Sequence, residues 1–183
     1  MGSSRPKVLI SASRLRARVR ALGRRIRRDY RHCEPVLVGV LQGSFIFMAD
    51  LVRAIELPLR CDFLRMSSYG EGRESSGRVR LVFGAAGSLR GKDVILVEDI
   101  VDTGATARRV LRLLRSARPR SLRLCALLHK PECTRIPVRI DYLGFRIPNR
   151  FVVGYGLDFA GLYRNLPYLA ALEAADLEVQ FKR

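Results

Sequence analysis

The sequence has no tryptophan, only two histidines, and four cysteines, none of them in a Cys-x-x-Cys pair. Cys33, Cys61, Cys125 and Cys133 therefore lack zinc-ligand spacing. Cys61 and Cys125 lie in apolar runs and are expected to be small buried hydrophobes. Unpaired thiols suit a reducing compartment. No apolar run approaches the roughly 20 residues of a membrane-spanning helix, and no stretch has the layout of a secretory signal. A soluble, cytoplasmic protein with no membrane partner is the expectation. There is no Walker A loop, since Gly91-Lys92 lacks both the preceding glycine and the following hydroxyl residue. There is also no Gly-x-Gly-x-x-Gly, so P-loop ATPase and dinucleotide-binding readings fall away. Acids are scarce: 17 Asp+Glu stand against 34 Lys+Arg, nearly all arginine, for a net charge of +17. Such a surface attracts phosphates, whether of small substrates or of nucleic acid. No basic segment interleaved with aromatics for reading RNA bases is present, so specific nucleic-acid binding is not expected.

What is there, across 183 residues of which 48% are hydrophobic, suffices for one well-buried domain. From Ser13 to Tyr30, Leu15, Val19, Leu22 and Ile26 recur at helical spacing between arginines. Val36 to Leu41 is a continuous branched-apolar run that suits a strand buried on both faces. A glycine-containing turn and a helix from Phe45 to Ile55 follow. Leu59 to Met66 is expected as a second strand, and Ser67 to Gly77, rich in Ser, Gly and charge, as a long mobile loop. Val79 to Phe83 reads as the returning arm. Further buried strands are expected from Asp93 to Val97, Leu122 to Leu128 and Ile140 to Phe145. A helix with Ala107, Val110, Leu111 and Leu114 on one face lies between the first two of these. This alternation predicts an α/β domain with a mainly parallel sheet.

The chemistry concentrates in residues 94–106. Ligands of open α/β sheets sit beyond the carboxyl ends of the strands, and Glu98 and Asp99 are expected at such an end. Two adjacent acids there can engage sugar hydroxyls or a hard cation such as Mg²⁺. The turn Asp102, Thr103, Gly104, Ala105, Thr106 leads into a helix N-terminus. Backbone N–H groups, two hydroxyls and the helix dipole suit a phosphate there, with Gly104 allowing close approach. Acids and threonines also cap helices. Three acids in five positions after a buried strand, followed by Thr-Gly-x-Thr, favour a site.

The stretch Val97 to Thr106 resembles the phosphoribosyl-pyrophosphate (PRPP) motif of type I phosphoribosyltransferases. Within that group the chain is similar to the hypoxanthine (hypoxanthine-guanine) enzymes from about Val36 to Leu169. Supporting segments are Val40 to Phe45, Asp62-Phe63, Ser67 to Gly70, Leu127 to Lys130, Gly144 to Pro148, Phe151 to Asp158, and Tyr163-Arg164. The resemblance implies transfer of the phosphoribosyl group from PRPP to hypoxanthine or guanine, giving IMP or GMP and pyrophosphate with Mg²⁺ as cofactor. It implies the type I phosphoribosyltransferase fold over one domain. The core would span about 36–150, a small hood about 1–35 plus 151–183, and the mobile loop about 67–80. A homodimer or homotetramer is implied. Alternatives are a same-fold RNA-binding regulator or an enzyme preferring xanthine.

Residue by residue, the resemblance implies that Glu98 and Asp99 contact the ribose hydroxyls near a metal ion. Residues Asp102, Thr103, Gly104, Ala105 and Thr106 would hold the 5′-phosphate, with Asp102 the catalytic proton acceptor near N7 of the purine. Gln42 and Gly43 match the pyrophosphate loop, where a non-proline cis peptide is implied. Gln42 stands where many relatives carry Lys or Arg, so charge from that side chain is lost. Arg164 matches a pyrophosphate ligand, and Asp158 a metal ligand bordering the purine pocket. Lys130 matches the donor to the 6-oxo group, Phe151 the aromatic stacked on the base, and Val152 the backbone that reads its edge. Ser68 and Tyr69 match the start of the mobile loop.

Overall fold

The computed structural model describes residues 6–65 and 89–173. Its core is a five-stranded, all-parallel sheet in the order β3-β2-β4-β5-β6. The strands are β2 (Val36–Leu41), β3 (Arg60–Arg65), β4 (Asp93–Val101), β5 (Ser121–His129) and β6 (Tyr142–Arg146). Their apolar runs are continuous because both faces are covered. Leu37, Ile95, Val97, Cys125 and Leu127 point to one face, where α1 (Ala12–Asp29) and α2 (Phe45–Ile55) pack. Val36, Val38, Val40, Val94, Leu96, Leu124 and Ala126 point to the other, against α3 (Ala105–Ser116). Each such side chain, fully buried, contributes about 1.5–3 kcal/mol of transfer free energy.

The helices follow the apolar periodicity. On α1 the buried positions are Leu15, Val19, Leu22, Gly23 and Ile26, with Ser11 capping the N-terminus through its side chain. Gly23 sits where α1 crosses α2: a Cβ there would lie 2.3 Å from the Ala54 carbonyl oxygen. The other two helices bury Phe47, Met48, Leu51 and Ile55 on α2, and Ala107, Val110, Leu111 and Leu114 on α3.

Beyond the sheet's carboxyl end a three-stranded antiparallel sheet, β1-β8-β7, is built from β1 (Lys7–Ile10), β7 (Phe151–Val153) and β8 (Leu169–Leu172). Among the described residues up to 35, β1 alone joins this hood-like sheet, whereas α1 packs on the core. Two further expectations are corrected. β4 runs on to Val101, so Glu98 and Asp99 lie within the strand rather than past its end. The cause is continued pairing with β5, which matches Glu98 to Ala126 and Ile100 to Leu128. Cys61 is exposed on β3, the edge strand of this sheet among the described residues; Cys125 is buried as expected. The segment from Phe151 onward holds β7 and β8. The loop expected near 67–80, with Ser68 and Tyr69, and the arm Val79 to Phe83 lie outside the described residues.

Candidate active site

The chain order places β3 to one side of β2 and β4 to the other, so the order in which strands are added reverses between β2 and β4. A crevice opens at the carboxyl ends there, where such sheets bind ligands. The β2–α2 turn brings Gln42 and Gly43 to it, and the Leu41–Gln42 peptide is cis. β4 and the turn before α3 bring the acids and the Thr-Gly-Ala-Thr run.

Two adjoining lobes result. One, of about 330 Å³, is lined by Gly43, Glu98, Asp99, Asp102, Thr103, Gly104 and Thr106 among others. The other, of about 340 Å³, is lined by Gln42, Gly43, Asp99, Asp102, Lys130, Phe151, Val152, Asp158 and Arg164. Gly43, Asp99 and Asp102 border both. A Cβ on Gly43 would lie 1.5 Å from an Asp99 carboxylate oxygen, so a larger residue there would displace the Asp99 side chain.

Gly104 has φ +84° at the start of α3, and a Cβ on it would meet the Ile136 carbonyl at 2.0 Å. The Thr103 carbonyl accepts from the Arg135 and Ile136 N–H groups at 3.1 and 2.9 Å, which holds the turn from behind. Exposed Ala105 and Thr106 stand at the N-terminus of α3, whose dipole favours an anion.

The acids are electrostatically loaded. Glu98 is 3% exposed and its Oε1 has no hydrogen-bond partner among the described residues. Burial, then the neighbouring Asp99 charge, pushes its carboxyl well above the usual range. Asp99 is pushed up to about 6, chiefly by burial, with Asp158 adding repulsion and the Ile100 N–H and Arg164 opposing. A buried carboxylate oxygen without a donor is costly unless a ligand supplies one. Ribose hydroxyls or a divalent cation would both do so.

In the second lobe, Lys130 is 7% exposed at the end of β5, and its Nζ lies 3.2 Å from Asp102 Oδ2. Its N–H donates to the Val101 carbonyl at 3.0 Å, locking the ends of β4 and β5 together. Phe151 is 42% exposed, lines the cavity, and forms a T-shaped pair with Phe159 at 5.3 Å. Arg164 pairs with Asp158 at 2.7 Å, donates to the Gly156 carbonyl at 2.7 Å, and reaches Gln42 Oε1 at 3.4 Å. Gln42 therefore orients an arginine where a cation would repel it.

The phosphoribosyl transferase domain family model matches residues 11–160 of this chain. The chain belongs to that family. Within it, the chain groups with the hypoxanthine and hypoxanthine-guanine phosphoribosyltransferases. It is 45% identical over 171 residues to the hypoxanthine-guanine phosphoribosyltransferase of Dictyostelium discoideum, covering 91% of this chain and 95% of that one. The solved structure of Trypanosoma cruzi hypoxanthine phosphoribosyl transferase superposes with a TM-score of 0.89 at 38% identity over 100% of both chains. The bifunctional protein TilS/HprT of Listeria innocua is 44% identical over 167 residues, 91% of this chain. The chain spans 26% of that longer relative.

Set beside the phosphoribosyltransferase expectations, Glu98, Asp99 and Asp102 through Thr106 come together in the first lobe, save Ala105, which stands beside it on α3. Gln42, Gly43, Lys130, Phe151, Val152, Asp158 and Arg164 come together in the second. The three acids expected at a metal do not converge as a triad: Asp99 and Asp158 share one lobe, and Glu98 lines the other. Among the described residues no three His, Cys, Asp or Glu side chains form a cation cage. That fits an ion carried mainly by substrate phosphates and water, as Mg²⁺ is in phosphate-transfer sites.

Sequence reasoning missed two supports. Tyr155, buried and with φ +49°, donates to Asp50 on α2 at 2.5 Å and fixes the turn that carries Asp158. Thr134 Oγ1 reaches the carbonyls of Lys130 and Asp102 at 3.2 and 3.5 Å. Glycines flanking Tyr155 were its only sequence signal, and a lone threonine gave none.

Proposed function

We propose that this protein transfers the 5-phosphoribosyl group of PRPP to N9 of hypoxanthine or guanine, releasing pyrophosphate. The observation that carries the reading is the Lys130–Asp102 pair, which lines the same lobe as the exposed Phe151 ring and borders the acid-lined phosphate lobe. The base lies against Phe151, with Val152 backbone groups at its edge. The Lys130 ammonium donates to the 6-oxo oxygen, which selects against 6-amino purines because their amino group leaves that donor unpaired. N9 attacks C1′ as the bond from C1′ to the pyrophosphate oxygen breaks. The proton at N7 passes to the Asp102 carboxylate, whose half-exposed side chain faces the lobe.

Residues 102–106 hold the 5′-phosphate, and Glu98 and Asp99 accept from the ribose hydroxyls. Gln42, Gly43 and Arg164 receive the pyrophosphate, the arginine through its planar fork. Asp99 and Asp158 would hold a Mg²⁺ ion brought in with the substrate, which would supply charge compensation to the phosphates. Ser68 and Tyr69 belong to the segment assigned to closing the site. The working compartment is the cytoplasm, a reading that the four free thiols support. A homodimer or homotetramer is the working assembly, in line with a Trypanosoma cruzi relative whose C-terminal region was studied for its role in oligomeric state.

The test is turnover of PRPP and Mg²⁺ with hypoxanthine, guanine, xanthine and adenine, beside an Asp102→Ala variant. IMP or GMP should form, adenine should not react, and the variant should lose about 10²- to 10⁴-fold in kcat. PRPP binding without turnover of any base would overturn the reading, and a clear preference for xanthine would reassign the acceptor.

A further inference from the structure

The connection from β5 to β6 contains only the short 3₁₀ turn Pro131–Cys133 and irregular chain up to Asp141. Among the described residues, α3 is thus the one helix on its face of the sheet, and the surface beside it over β5 is left open. A cavity of about 600 Å³ forms there between α3, the first half of β5 and residues 137–141. It shares no lining residue with either lobe of the active site.

Its walls are cationic and its floor is apolar. Arg108, Arg112 and Arg115 all line it, at a spacing that puts them on one face of α3. All three are exposed, and among the described residues none of their side chains makes an ion pair or hydrogen bond. Other arginines of the chain do have acid partners: Arg27 with Glu56, Arg120 with Asp93, Arg123 with Asp29. The lone acid at the cavity, Asp141, is already engaged by Arg139 at 3.0 Å and by the Leu124 N–H at 3.0 Å. Leu122, Pro137 and Val138 supply an apolar floor.

We propose that this cavity is a second ligand site that takes a nucleoside polyphosphate. The three free guanidinium forks receive the phosphates, a geometry to which arginine is suited. They extend over about 10 Å of helix, farther than a single phosphate bridges. The apolar floor takes the flat base, and the volume lies within the roughly 300–1,000 Å³ usual for small-molecule sites. A second copy of the chain does not suit a cationic cavity on a +17 molecule. A single-stranded nucleic-acid groove would offer aromatic platforms for successive bases, and no aromatic residue lines this one.

The experiment is calorimetric titration of the full-length protein with GTP and with ATP at about 0.15 M salt. It is run with and without saturating PRPP, on wild type, Arg112→Gln/Arg115→Gln and Arg112→Lys/Arg115→Lys. One nucleotide per chain should remain bound in the presence of PRPP. The glutamine variant should weaken that binding at least about tenfold, as loss of charge-assisted hydrogen bonds implies, with PRPP turnover and melting temperature unchanged. The lysine variant, which folds with the same charge but without the forks, should fall between. The proposal is overturned if PRPP displaces all the bound nucleotide, if the glutamine variant binds as wild type does, or if only oligonucleotides bind and affinity grows with their length. None of these outcomes depends on which base the active site accepts.

Discussion

At the scale of single residues, the acids on β4 are held at a cost to folding. The Asp99 carboxyl ionises near 6 in the fold against 3.8 for the free group. Between about pH 4 and 6 the unfolded chain therefore gives up this proton while the folded one keeps it, and stability falls as pH rises through that window. Above it the deficit stays constant. Asp99→Asn removes the deficit: the variant should melt higher than wild type at pH 7.5 by the equivalent of about 1–3 kcal/mol. The gain should vanish below about pH 4, and PRPP binding should be lost. Differential scanning calorimetry across pH, with PRPP calorimetry beside it, checks both halves; a variant less stable at pH 7.5 would contradict the account. Tyr155 makes the opposite case, a residue that supports the site without touching substrate. Its hydroxyl holds Asp50, 105 residues away, while Gly156 beside it accepts from Arg164. Tyr155→Phe should cost about 0.5–1.5 kcal/mol of stability and raise the KM for PRPP more than it lowers kcat. Such a partner cannot be read from local sequence, because neither residue carries a pattern that names the other. Lys130 is similar: a lysine after a strand is ordinarily surface charge, so in the sequence only the family resemblance singles it out, and in the fold its burial against Asp102 does.

At the scale of elements, periodicity was a good guide where a face is buried along its whole length. The runs for β2, α2 and the apolar face of α3 fall where the alternation of branched and helical spacing puts them, because sheet and helices bury each other. It was a poor guide for β1 and β8, four residues each, whose pairing comes from opposite ends of the chain. It also cut β4 short, since two acids read as a chain end while the ladder to β5 continued beneath them. Helix packing adds a constraint that composition hides. Gly23 is a poor helix former in the middle of α1, and alanine there would gain up to about 1 kcal/mol of propensity. Yet the methyl would stand 2.3 Å from the Ala54 carbonyl of α2, so the two helices would have to part. Gly23→Ala should be net destabilising by about 1–3 kcal/mol, measurable as a lower denaturant midpoint with an unchanged m-value. A more stable variant would mean that the α1–α2 crossing yields freely.

At the scale of the whole molecule, the arginine excess has more than one use. Some guanidinium groups stack on aromatic rings at the β6 side of α1: Arg18 lies 5.3 Å from the Phe145 centroid, Arg25 5.2 Å from Tyr142, and Arg123 5.3 Å from Tyr30. Those are packing contacts that lysine would make less well. Others pair with the few acids, and the three on α3 face solvent with no acid partner among the described residues. A charge of +17 on one domain opposes its own compaction, and that repulsion acts over distances that salt screens within about 10 Å at 0.1 M. Salt also weakens the ion pairs, but exposed pairs such as Arg27–Glu56 contribute only about 0–1 kcal/mol each. Repulsion should therefore win, and the melting temperature should rise with sodium chloride up to the point where screening is complete. Sulfate at equal ionic strength should raise it further, because a doubly charged anion also occupies arginine-lined sites and binding to the folded state alone adds stability by mass action. Melting curves in matched chloride and sulfate series separate the two contributions. A melting temperature that falls with chloride would place the balance with the ion pairs, and equal curves in the two salts would leave the exposed arginines without a preferred anion.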